Sequence, residues 1–178
     1  MRIISGSLGG RLFSTPAIRS VHPMSEKARG GIFSALGDIE QLKLLDAYSG
    51  SGAIAFEAIS RGALSVTCVE QNRTAHQNIK TNAERLGIIG KLSLFNSTIE
   101  AWLKFNHELF DIVIADPPYN DLKPDALDRL FDKALKVNGL FVLSWPAAQI
   151  LPTLATSTAF KQKPYGDALI GYYRKDKN

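Results

Sequence analysis

The chain has 178 residues, 45% hydrophobic and 21% charged, with a formal net charge of +4, which suits one soluble domain with a substantial core. No membrane-spanning helix is expected, because the longest apolar run, Leu140–Trp145, stops at Pro146, far short of the roughly 20 residues of a span; Met1–Gly6 also lacks the apolar core of a signal peptide. A lone cysteine (Cys68) and three scattered histidines (His22, His76, His107) give no internal disulfide and no metal-ligand spacing, so a cytoplasmic protein without a metal is expected.

In chain order, residues 1–24 read as an extended arm punctuated by Gly and Pro, with short strands expected at Arg2–Ser5 and Arg11–Ser14. Ser25 is placed to cap a helix running to Leu36, with Ala28, Ile32, Phe33 and Leu36 on one face. A strand at Leu42–Asp46 leads into the turn Ser49-Gly50-Ser51-Gly52 and a helix ending at Arg61–Gly62. The pattern continues with a strand at Leu64–Glu70, a helix capped by Asn72 and stopped at Gly87, and a strand at Lys91–Phe95. A short helix at Ile99–Lys104, a strand at Phe110–Ala115, a helix at Pro124–Leu135 and a strand at Leu140–Trp145 follow. Segments 158–163 and 168–174, joined through Pro164–Asp167, read as an antiparallel hairpin.

Strict alternation of strands and helices predicts an α/β, Rossmann-like fold: a mostly parallel sheet covered on both faces, with right-handed crossovers. Ligands in such sheets bind beyond the carboxyl ends of the strands, at the switch in strand order. The Gly turn, Glu70 and the segment Asp116–Tyr119 all fall on that rim. The positive charge is localised too. Residues 1–36 hold Arg2, Arg11, Arg19, Lys27 and Arg29 against Glu26, whereas the remaining basic and acidic residues cancel, 16 against 16. The chain is therefore divided into a basic arm and helix, 1–36, and a catalytic domain, 37–178. The five basic side chains are candidates for binding a phosphate backbone.

Asp116-Pro117-Pro118-Tyr119 carries the chemistry. Proline fixes φ and donates no N–H, so the carbonyls of this segment project in pre-set directions. With the Asp116 carboxylate they can accept hydrogen bonds from an exocyclic amine, while Tyr119 offers a stacking face worth about 1–3 kcal/mol. Gly50-Ser51-Gly52 opens a helix directly after a strand, so backbone can approach a ligand there. Glu70, 20 residues after Gly50, can accept bonds from ribose hydroxyls. Gly50–Ala55 also fits the dinucleotide pattern G-x-G-x-x-A, which keeps a nicotinamide oxidoreductase in play. Against it, Tyr48 crowds the loop, and Asp46 would bring a carboxylate to a pyrophosphate. Asp46 suits a cationic ligand, such as the amino group of S-adenosylmethionine.

Taken together, Arg2–Gly6, Gly10-Arg11, Pro23–Leu36, Leu45–Ala53, Glu57–Ala63, Val69-Glu70 and Asp116–Tyr119 make the chain resemble the RsmD-type bacterial 16S ribosomal RNA guanine-N2 methyltransferases. The resemblance spans most of the sequence. It implies a class I methyltransferase fold, seven strands with an antiparallel last one, and S-adenosyl-L-methionine as cofactor. It maps cofactor contacts onto Asp46, Ser49, Gly50, Gly52 and Glu70, and catalysis onto Asp116, Pro117, Pro118 and Tyr119; Tyr48, Gln71, Ser97 and Thr98, beside those positions, are further cofactor candidates. The partner it implies is 16S rRNA or the small ribosomal subunit, with the enzyme acting as a monomer. The chain departs from the family at His22-Pro23-Met24 and Glu26–Gly30, and Thr98 stands where an acidic or amide residue often contacts adenine. The rival readings are an adenine-N6 methyltransferase on DNA or RNA, which faces the same chemical problem, and a non-catalytic RNA-binding assembly factor.

Overall fold

The computed structural model describes residues 1–15, 24–155 and 157–177. In chain order the elements are α1 (Glu26–Leu36), β1 (Lys43–Asp46), α2 (Ala53–Ser60), β2 (Ser65–Val69), α3 (Arg73–Leu86) and β3 (Leu92–Phe95). They continue with α4 (Ile99–Trp102), β4 (Phe110–Ala115), α5 (Pro124–Ala134), β5 (Leu135–Pro146), β6 (Lys161–Tyr165) and β7 (Ala168–Arg174). One seven-stranded sheet runs β3-β2-β1-β4-β5-β7-β6. Strands β1 to β5 pair in parallel, and β7 is antiparallel to both its neighbours. The α/β sheet expected from the alternation is therefore present.

Each strand feeds both faces, because side chains alternate across a pleat. Leu44, Val66, Ile112, Ile114, Val142, Ile170 and Tyr172 join a core roofed by α1, α2 and α3. Leu45, Val113, Phe141, Leu143 and Tyr173 join the opposite core, under α4 and α5. The helix caps follow the sequence: Ser25 accepts from the Ala28 N–H, and Asn72 accepts from Thr74 and Ala75. Strand β5 starts five residues earlier than its apolar run suggests. Leu135 already pairs with Phe110, and the register shifts before Ile112 pairs with Leu140. Asn138, at φ 64°, absorbs the irregularity.

The N-terminal arm lies along α2 and doubles back on itself: around the antiparallel bridge from Arg2 to Leu12, the Ile3 N–H donates to the Arg11 carbonyl and the Phe13 N–H to the Met1 carbonyl, both at 3.0 Å, a shorter pairing than the two expected strands. Glu57, fully buried in α2, accepts the N–H groups of Ile4 (2.8 Å) and Ser5 (3.1 Å), and Arg61 Nε at 2.7 Å. Ser60 receives the Leu8 N–H at 2.9 Å. Further along, Asn82 of α3 donates to the Ser14 carbonyl at 2.8 Å. Phe13 stacks edge-on against Phe56, so the arm contributes Ile3 and Phe13 to the α1–α3 core.

One expectation is corrected here. Arg29 is not a phosphate ligand: it is fully buried, its Nε 3.5 Å from Glu57 Oε2 and its Nη2 donating to the Arg2 carbonyl at 2.6 Å. It sits with Ala28, Ile32 and Phe33 on the inward face of α1. Burial lowers its pKa and the Glu57 carboxylate opposes that shift. Arg2, Arg11 and Lys27 are exposed, while Arg19 lies outside the described residues.

Candidate active site

Strand order reverses between β1 and β4: β2 and β3 lie on one side of β1, and β4 with β5 on the other. Asp46, the last residue of β1, is level with Cys68 of β2 and with Ile114 of β4. Glu70 and Asp116 each follow those partners by two residues. All three carboxylates therefore stand on one rim, at the switch point where such sheets bind ligands.

The loop after β1 is tied down by its own backbone. Ser49 is buried, its N–H donating to the Val69 carbonyl at 3.1 Å and its hydroxyl to the Asp46 carbonyl at 2.8 Å. Gly50 and Gly52 have φ of 51° and 79°. A Cβ on Gly52 would also come within 2.9 Å of the Phe56 ring, so residues with side chains are excluded twice over. Glu70 closes the loop: Oε2 accepts the Gly50 N–H and Oε1 the Asn72 N–H, both at 2.7 Å. Each oxygen keeps a lone pair for a ligand hydroxyl. Gln71 is exposed beside it, and its carbonyl, with that of Glu70, receives the Asn96 amide. Ser97 donates its N–H to the Glu70 carbonyl at 3.2 Å, which brings the segment after β3 to the same place. The Thr98 hydroxyl caps α4 by accepting the Ala101 N–H, so its oxygen is engaged in the helix start. Tyr48 is half-buried; burial first, then Glu100 and Asp121, raises its phenol pKa.

Asp46 is the least satisfied of these groups. It is 2% exposed, and its Oδ2 has no hydrogen-bond partner. Burial above all, then the Asp116 and Glu70 carboxylates, raises its pKa to about 8. An orphaned buried carboxylate among like charges calls for a cation. A ligand with an ammonium or sulfonium centre, a ribose and a flat base fits this set, as S-adenosylmethionine does; a pyrophosphate does not.

On the β4 side, Asp116 is half-buried, and burial chiefly raises its pKa to about 6, opposed by the Ser144 hydroxyl and assisted by Asp167. Pro117 is buried, Pro118 half-buried. The Pro118 carbonyl is taken by the Asp121 N–H, but among the described residues no donor meets the Pro117 carbonyl. Tyr119 is half-buried and its hydroxyl is 2.8 Å from Ser144 Oγ. Ser144, buried on β5, pins the Tyr119 ring and sits within reach of Asp116. Nothing local to Leu143-Ser144-Trp145 marks that serine; only the pairing of β4 with β5 brings it to the rim. Among the described residues, no group of three or more His, Cys, Asp or Glu could hold a metal ion.

The family model described as Conserved hypothetical protein 95 matches residues 1–174. The chain is 30% identical to the ribosomal RNA small subunit methyltransferase D of Haemophilus influenzae, over 93% of this chain and 89% of that protein. With the Escherichia coli K12 protein of the same name it shares 28% identity, covering 99% and 90%. Among solved structures, an E. coli methyltransferase candidate superposes with a TM-score of 0.89 at 27% identity, covering 100% of this chain and 99% of the other. A Thermus thermophilus protein without a stated function gives 0.83 at 26%, covering 99% of each. The nicotinamide alternative falls with these matches, as it does with the buried Asp46 carboxylate beside the Gly loop. The chain belongs to the family that Conserved hypothetical protein 95 describes, the RsmD-type methyltransferases.

Proposed function

We propose that the protein transfers a methyl group from S-adenosyl-L-methionine to the exocyclic N2 of a guanine in 16S ribosomal RNA, working in the cytoplasm where small subunits are assembled. One observation carries the reading: Asp46, Glu70 and the Asp116–Tyr119 segment share one rim, where Asp46 Oδ2 is unpartnered and, among the described residues, no donor meets the Pro117 carbonyl. Relatives named for small-subunit ribosomal RNA support the substrate. A structural neighbour solved with S-adenosylhomocysteine shares the fold at TM-score 0.66 and 18% identity.

In this reading Asp46, Tyr48, Ser49, Gly50, Gly52, Glu70, Gln71, Ser97 and Thr98 hold the cofactor, with Asp46 against its amino group and Glu70 against its ribose. When bound, S-adenosylmethionine supplies a methyl group activated by a sulfonium. The chain does the rest. The lone pair of guanine N2 is delocalised into the ring, so the amine is a poor nucleophile. Hydrogen bonds from its N–H groups to the Asp116 carboxylate and the Pro117 carbonyl favour a pyramidal nitrogen and localise that lone pair. Pro118 stiffens the turn, and Tyr119, held by Ser144, stacks on the base once it has left its neighbours, a step costing a few kcal/mol. Fixing nitrogen and methyl donor in line supplies much of the acceleration. The amine becomes acidic only after it has gained its fourth bond, and Asp116, ionised above pH 6 or so, is placed to accept the proton then. Residues 1–36 serve as an RNA-binding extension of the 37–178 domain, through Arg2, Arg11, Lys27 and, outside the described residues, Arg19.

The test is transfer of labelled methyl from S-adenosylmethionine to unmethylated 16S rRNA and small subunits, followed by nucleoside analysis. N2-methylguanine is expected; N6-methyladenine would favour the adenine enzyme, and no transfer the assembly factor. Asp116→Ala should lower turnover at least 100-fold, an order of magnitude set by what orientation contributes, while calorimetry shows cofactor affinity within about twofold of wild type. Unchanged turnover removes Asp116 from the mechanism.

A further inference from the structure

We propose that the C-terminal hairpin supplies a second contact for the phosphate backbone of the RNA, made by Lys161 and Lys163 and continuous with the N-terminal arm. The proposal rests on the methyltransferase reading above. Residues 157–177 contain five basic and two acidic side chains. An acidic centre cancels them in any division of the chain into arm and remainder, so the second basic segment is hidden until it is placed in space.

The fold sets that segment beside the first. Tyr165, at the top of β6, lies against α1 so closely that a Cβ on Gly31 would be 1.8 Å from its hydroxyl oxygen. Tyr165, Ala168, Ile170 and Tyr172 pack into the same core as Ile3 and Phe13 of the arm. Lys161 pairs with Tyr172, Lys163 with Ile170 and Tyr165 with Ala168, so both lysines lie on the face of the sheet that carries α1 and the arm. Strand β6 is an edge, and both lysines are exposed. The Lys161 ammonium sits 5.5 Å from the centre of the Tyr172 ring, and that of Lys163 5.4 Å from the Tyr165 ring. Among the described residues neither forms an ion pair with a carboxylate. A cation resting on an aromatic face is oriented yet not neutralised, and it stays available to an anion.

The hairpin also begins at the right place. Its turn, Gly166-Asp167, is joined to the end of β5 by the Ala147 N–H donating to the Asp167 carbonyl at 2.8 Å. That is the rim of Asp116 and Tyr119. From there β6 leads down the sheet edge past Gly31 of α1, the helix that carries exposed Lys27; Arg2 of the arm is exposed too, its guanidinium 3.1 Å from the Glu26 carboxylate. Arg174 and Lys175 are not part of this track; they bond to the Asn138, Asp132 and Leu135 carbonyls at the other end of β7. Lysines and a proline also keep an edge strand from pairing with another molecule. That duty needs charge alone, and the test separates it from RNA binding.

The experiment compares wild type with the double variant Lys161→Gln/Lys163→Gln for binding to a 16S rRNA transcript across a potassium chloride series. Each lysine that neutralises a phosphate contributes about 0.7 to the slope of log affinity against log salt on single-stranded RNA, so the variant's slope should be shallower by about 1.4. Affinity at low salt should fall severalfold, cofactor affinity should stay unchanged, and Lys161→Arg/Lys163→Arg should restore the slope. An unaltered slope overturns the contact, including when the variant merely aggregates, which would assign the lysines to edge protection. Wild type that fails to methylate or bind the transcript removes the methyltransferase reading, and this proposal with it. An active wild type with an indistinguishable variant removes this proposal alone.

Discussion

Asp46 shows how far a position legible in the sequence differs from the group the fold makes of it. Its place at the end of a strand before a Gly loop marks it as a ligand contact; its buried, unpartnered oxygen comes from β2 and β4 closing around it. With a folded pKa of about 8 against roughly 3.9 in an unfolded chain, the native state binds the extra proton between those values. Stability from this group therefore falls as pH rises from about 4 to 8 and levels off above. Asp46→Asn should melt a few degrees above the ligand-free wild type at pH 8, with the gap closing near pH 4, while cofactor affinity drops at least tenfold, by calorimetry (roughly 1 kcal/mol moves Tm by about 2–4 °C at this size). An Asn variant less stable than wild type at pH 8 would mean that the carboxylate has a structural partner. Ser144 is the opposite case: no neighbour in sequence suggests that it anchors Tyr119, because the contact spans 25 positions.

Helix α2 holds the arm through Glu57, which takes the Ile4 and Ser5 N–H groups, and through Ser60, which takes that of Leu8. Its sequence Ala-Ile-Ala-Phe-Glu-Ala-Ile-Ser is buried at every position, so Glu57 must be compensated on all sides. Two arm N–H groups, Arg61 and Arg29 do this. Arg29 falls one residue from Ala28 and three from Ile32, within the inward stripe of α1, and composition alone could not tell it from the exposed Lys27. Glu57→Ala strands the buried guanidinium and two backbone donors. A loss of about 3–5 kcal/mol in urea unfolding is expected, with faster amide exchange at Ile4 and Ser5. A loss below 1 kcal/mol, or unchanged exchange, would show that the arm is held without Glu57, by Ser60, Asn82 and its apolar contacts.

The two ends of the chain meet across α1, and one glycine permits it. Gly31→Ala puts a methyl group into the Tyr165 ring, and such overpacking costs about 1–3 kcal/mol. In a Tyr165→Ala background the same change should cost only a few tenths, a coupling a double-mutant cycle measures; additive losses would deny the contact. The order of strands and helices, the rim on which Asp46, Glu70 and Asp116 gather, and the opposed hairpin were all readable from residue periodicity, caps and turns. Those signals act over a few neighbours, and alternation of strand with helix leaves little choice of sheet. Which charges face water, which hydroxyl steadies Tyr119 and which two basic segments become one surface depend on contacts between residues 25 to more than 130 positions apart. Such meetings exist only once the chain has packed, because no local pattern records what will lie across the core.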